Sequence, residues 1–90
     1  MMRCQKVTII NKLGLHARAS AKFVSLASVF SAEITLKRNG QQINGKSIMG
    51  IMMLAAAKGA EFEICADGKD EKKALEELTE LVNDRFGEGE

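Results

Sequence analysis

Residues 32–45 read AEITLKRNGQQING. Ala32, Ile34 and Leu36 alternate with Glu33, Thr35 and Lys37, the period-two pattern of a strand with one apolar and one polar face. Asn39-Gly40 follows, and both positions tolerate the positive φ of a two-residue hairpin turn. Gln41 to Ile43 is the short returning strand, and Asn44-Gly45 closes it. A hairpin with one apolar face needs a cover, and the flanking segments supply it.

Upstream, residues 3–10 (RCQKVTII) place Val7 and Ile9 on one face and Lys6 and Thr8 on the other, a further strand. Between Ala17 and Phe30 the apolar positions Ala19, Phe23, Leu26, Ala27 and Phe30 recur every three or four residues, an amphipathic helix. Downstream, Ser47 opens the apolar run SIMGIMML, read as a short helix that stops before Lys58-Gly59. Phe62, Ile64 and Ala66 alternate with Glu61, Glu63 and Cys65 in a fourth strand. After the turn at Asp67-Gly68, Asp70 is a candidate N-cap for a helix with Leu75, Leu78, Leu81 and Val82 inward. The pattern predicts an α+β open-faced β-sandwich. Its four-stranded antiparallel sheet is covered on one face by three helices, in the order β-α-β-β-α-β-α, within a single domain spanning residues 1–90.

Composition narrows the function. Apolar residues at 46% and charged residues at 28% describe an ordinary globular chain rather than a disordered one. Thirteen basic against twelve acidic side chains give a net charge of +1, and Tyr and Trp are absent, so nucleic-acid binding finds no support. No segment approaches the roughly 20 apolar residues of a membrane span. No secretory leader is evident. The expected location is therefore the cytoplasm, without membrane insertion. Cys4 and Cys65 stand too far apart for a CxxC motif, and with a single histidine they leave too few ligands for a metal site. They read as reduced, half-buried packing residues, and neither metal nor cofactor is expected.

The only histidine, His16, falls where a loop ends and a helix begins. Unpaired amides and the positive end of the helix dipole make such a place an anion site. Arg18 adds a planar, permanently charged fork suited to phosphate, and Gly14 lets the backbone approach closely. A neutral imidazole is a competent nucleophile. No general base or substrate pocket accompanies it. A phosphoryl group accepted at His16 and passed on fits these residues better than an enzyme active site does. Ser47 reads first as an N-cap. Ile48, Met49, Met52 and Met53 flank a helix too short to bury every side, with Ile51 and Leu54 as its core contacts; methionine suits surfaces that accept several partners.

GLHARAS (Gly14 to Ser20), GKSIMGIMML (Gly45 to Leu54), Lys58-Gly59 before the fourth strand and the EELTELV run together resemble the histidine-containing phosphocarrier (HPr) family of the bacterial phosphoenolpyruvate-dependent sugar phosphotransferase system. The resemblance implies that His16 takes a phosphoryl group on Nδ1 from enzyme I and passes it to IIA domains of sugar permeases, with Arg18 helping to hold it. It further implies regulatory phosphorylation of Ser47 by an HPr kinase/phosphorylase, contact with a transcriptional regulator, and a docking patch of Ala17, Ala21, Ile48, Met49 and Met52 on a monomer. A family variant with glutamine in place of the histidine serves regulation only, and His16 excludes it. Ala19 stands where the family commonly has proline, so a slightly less rigid helix start and an intact site are expected. The parallel nitrogen-related carrier shares the histidine motif. A module of another class, a ferredoxin-like regulator of a small ligand, shares the element order.

Overall fold

The computed structural model describes residues 2–54 and 56–89 of the chain. The strands are β1 (Arg3–Thr8), β2 (Glu33–Arg38), β3 (Gln41–Asn44) and β4 (Glu61–Asp67). The helices are α1 (Ala17–Ala27), α2 (Ile48–Met53) and α3 (Glu71–Asn83), and a single 3-10 turn (Arg85–Gly87) follows α3. All strand pairs are antiparallel, in the spatial order β1-β4-β2-β3.

The hairpin expected from residues 32–45 forms with Arg38 opposite Gln41, and Asn39 (φ 49°) and Gly40 (φ 83°) supply the left-handed turn. Strand β1 ends at Thr8, short of the expected Ile10, although Ile9 remains fully buried. Helix α1 ends at Ala27, earlier than the apolar spacing through Phe30 predicts, although Phe30 remains buried. The Lys46 ammonium donates to the Phe30 carbonyl at 2.7 Å and ties the β3–α2 connection to the end of that segment.

Register decides which side of the sheet is dry. Val7 faces Phe62, Leu36 faces Ile64 and Ile34 faces Ala66, all buried beneath the helices. Lys6, Glu63 and Lys37 lie side by side on the opposite, open face, an alternation of charge across three strands. Phe23 of α1, Ile51 of α2 and Leu78 and Val82 of α3, all fully buried, complete the core. Ile51 and Leu54 are core residues, as expected from the sequence.

One reading needs correction, and the Asp70 cap takes an unexpected form. Cys4 and Cys65 are not reduced packing residues: they form a disulfide. The antiparallel β1–β4 register places them directly opposite one another, with Cα atoms 4.0 Å apart, and only that register, invisible across 61 positions of sequence, brings them together. Cys4 is exposed and Cys65 is buried. Asp70 occupies the N-cap position of α3 but makes no side-chain cap bond. Its carboxylate accepts the Ser31 and Ala32 N–H groups, both at 2.9 Å, and so fastens the start of β2 to α3.

The Ser31 amide bond, against an opposing effect of desolvation, and the Ala32 amide bond hold the Asp70 carboxyl below its ordinary value of 3.8. A lowered carboxylate contributes stability that is complete above the ordinary value and lost as pH falls through the lowered one. Thermal unfolding of the parent and Asp70→Asn between neutral pH and pH 2 is expected to show a less stable variant near neutrality. The gap should close only on the acid side of pH 3.8. A gap independent of pH would rule out the ion's part. Reducing Cys4–Cys65 is expected to lower stability by about 2–4 kcal/mol, read by denaturant unfolding with and without dithiothreitol.

Candidate functional site

The site is built where the β1–α1 loop meets the start of α1. Gly14 (φ 67°) presses against the segment that follows α2: a Cβ there would lie 2.6 Å from the Ala56 carbonyl oxygen. Leu15 N–H donates to that same carbonyl at 2.9 Å. Fully buried Asn11 holds the loop from inside, its Nδ2 donating to the Gly14 carbonyl at 2.9 Å. Only glycine combines this φ with so close an approach.

His16 follows in extended geometry and is itself the N-cap of α1. Its Nδ1 accepts the Arg18 N–H at 3.3 Å, the place a serine or aspartate oxygen ordinarily takes. An accepting Nδ1 carries no proton, so the ring proton sits on Nε2. The helix start thus offers a bare nitrogen, with the positive end of the dipole beside it. The Arg18 side chain is exposed, and its guanidinium makes no ion pair among the described residues. It lines an open cleft with Lys12, Leu13, His16, Lys22 and Glu88. Ala19 is fully buried, and α1 begins at Ala17.

Ser47 caps α2, its hydroxyl accepting the Gly50 N–H at 3.1 Å. Helix α2 packs on α1, leaving Ile48, Met49, Met52 and Met53 exposed, Met49 most of all at 76%. Ala17 is exposed and Ala21 half-buried on α1. Arg38 donates to the Leu54 carbonyl at the other end of α2, opposing the negative end of its dipole. No group of three metal-binding side chains occurs among the described residues, and no helix among them is long and apolar enough to cross a membrane.

Sequence reasoning missed the other half of the site. Glu88, beyond the last helix, folds back so that one carboxylate oxygen meets His16 Nε2 while the other accepts from Asn11 Nδ2 at 3.0 Å. Burial pushes the Glu88 carboxyl up, but the hydrogen bonds from His16 and Asn11 and the charge of Lys22 work against it. The carboxyl ends below its ordinary value. The available signal was Phe86-Gly87, an aromatic residue and a glycine past the end of the periodic pattern.

An unprotonated histidine nitrogen at a helix start, beside an arginine that makes no ion pair among the described residues, is chemically suited to binding or carrying a phosphoryl group. The family model described as the PTS HPr component phosphorylation site matches residues 4–84. The phosphocarrier protein HPr of Neisseria meningitidis serogroup A is 58% identical over 86 residues, covering 96% of this chain and 97% of its own. That of Pseudomonas aeruginosa is 50% identical, covering 99% of this chain and all of its own. The crystal structure of HPr-C-His from Thermoanaerobacter tengcongensis superposes with a TM-score of 0.94 at 41% identity, over 98% of this chain and 99% of that one. The chain belongs to the HPr family, the phosphocarriers of the phosphotransferase system.

Asn11→Ala is expected to strip the buried donor from the Gly14 carbonyl and from Glu88, costing about 1–3 kcal/mol in denaturant unfolding. It should also broaden the His16 ring resonances. An unchanged midpoint and unchanged ring would show that the loop holds itself.

Proposed function

We propose that the chain accepts a phosphoryl group from enzyme I on His16 Nδ1 and passes it to IIA domains of sugar permeases. It acts in the cytoplasm as a single-domain monomeric carrier rather than an enzyme, with no nucleic-acid partner. The observation that supports this most is the bare Nδ1 of His16 at the start of α1 with Arg18 beside it. The α1 dipole and the Arg18 fork would stabilise the charge of the bound group.

Ser47 is the regulatory phosphorylation site in this reading, the substrate of an HPr kinase/phosphorylase, and the phosphorylated form is the one a transcriptional regulator reads. Phosphate on the cap of α2 would add charge beside Ile48, Met49 and Met52. With Ala17 and Ala21 these residues form the docking patch, and their exposure supports it.

Incubation with phosphoenolpyruvate and enzyme I is expected to add one acid-labile, base-stable phosphate to the parent and none to His16→Ala, read by mass spectrometry. Labelling of the alanine variant would sink the assignment. Arg18→Ala should keep the fold and slow transfer by roughly tenfold or more.

Ser47→Asp and Met49→Glu should weaken enzyme I binding in an NMR titration, because a charge would be closed into an apolar contact. Ser47→Ala should bind normally and lose about 0.5–2 kcal/mol of cap energy. Parent-like binding by both charged variants would remove the patch from the docking surface.

A further inference from the structure

We propose that Glu88 is a positioning residue for phosphoryl transfer: its carboxylate keeps the His16 ring proton on Nε2, so that Nδ1 is the nitrogen that takes and releases the group. The inference rests on the carrier reading of His16 and assigns that site a residue outside the helix-start motif.

Two independent arrangements converge on one tautomer. From α1, the Arg18 N–H points at Nδ1 and requires a lone pair there. From the C-terminal segment, the Glu88 carboxylate meets Nε2 and requires a proton there. The carboxylate is not loose. Its second oxygen is held by Asn11, which is fully buried and fixed by its bond to the Gly14 carbonyl.

The segment that carries Glu88 is anchored as well. Phe86 is 1% exposed in the core, and the Lys22 ammonium donates to its carbonyl at 2.7 Å. Arg85, Phe86 and Gly87 are all left-handed (φ 55°, 54° and 76°), which turns the chain back toward α1. Two consecutive non-glycine residues in that region are unfavourable by themselves. Burial of the Phe86 ring and the Lys22 contact hold them there.

The chemistry follows from the proton's place. In acceptance the Nδ1 lone pair forms the N–P bond, the bond from phosphorus to the donor breaks, and its electron pair stays with the donor. The ring becomes an N-phosphoimidazolium whose positive charge lies against the Glu88 carboxylate. In delivery the acceptor attacks phosphorus, the N–P bond breaks and its pair returns to Nδ1. Because the Nε2 proton never leaves, the leaving group is neutral imidazole rather than imidazolate. Orientation of an imidazole by a carboxylate is the same device that serves the serine hydrolases. Here it faces away from the reacting nitrogen, so its negative charge does not oppose the incoming phosphoryl group.

The test uses the full chain with ¹⁵N-labelled histidine as the parent, Glu88→Ala and Glu88→Gln. Imidazole ¹⁵N shifts give the tautomer ratio with no phosphoryl donor present. The parent should show the Nε2–H form alone, and Glu88→Ala should populate Nδ1–H. Glu88→Gln should restore the ratio, since an amide oxygen still accepts from Nε2–H. Transfer from phosphorylated enzyme I should fall roughly 10- to 100-fold in Glu88→Ala at unchanged enzyme I affinity. Glu88→Gln should recover only part of it, lacking the charge. A Glu88→Ala ring with the parent's tautomer and the parent's transfer rate would overturn the proposal. A faster variant would also overturn it, making Glu88 an anion that merely competes for the site. Failure of the carrier reading would appear separately, as a parent that takes no phosphate on His16, while the tautomer shifts still decide what Glu88 does to the ring.

Discussion

The His16 ring is held at both nitrogens, and the surrounding structure is arranged to keep it so. One nitrogen accepts a helix amide and the other meets a carboxylate. The first contact exists because the chain enters α1 in extended geometry at His16, which in turn needs the left-handed Gly14 against Ala56. That approach depends on α2 being seated, since Ala56 lies just beyond its end. The second contact depends on α3 delivering Phe86 to the core. Every helix thereby has a part in the placement of one imidazole.

The sheet serves as a platform for this. Its apolar face, written in the alternation of Val7, Ile34, Leu36, Phe62, Ile64 and Ala66, fixes where the helices lie. The open face is solvated and carries a charge alternation and the Cys4–Cys65 bridge. The site loop sits at one end of the sheet, where Ile9 exchanges hydrogen bonds with Gly59 and Ala60. In the proposed reading, a phosphocarrier needs little more than such a platform: a nucleophile with a defined lone pair, a nearby cation to meet the group, and an accessible surface around them.

Features with a period or a turn signature were legible in the sequence. The residue 32–45 hairpin declares itself by alternation and by Asn39-Gly40, the helices α1 and α3 by their apolar stripes, and His16 with Arg18 by position at a helix start. What escaped depends on long-range register or aperiodic backbone. The Cys4–Cys65 bond needs the β1–β4 pairing to be known. Asp70 has the residue type of a cap, yet the approach of Ser31 and Ala32 redirects its carboxylate. Glu88 reaches the site through left-handed residues at Arg85 and Phe86, which side-chain chemistry does not advertise.

The most direct measurement is the position of the phosphoryl group on the ring. With ¹⁵N-labelled histidine, phosphorus–nitrogen coupling in the phosphorylated chain identifies the bonded nitrogen. The proposed account predicts Nδ1, the nitrogen that accepts the Arg18 amide, with the proton still on Nε2. Coupling to Nε2 would contradict the account, because it would mean that the group enters on the side the Glu88 carboxylate occupies.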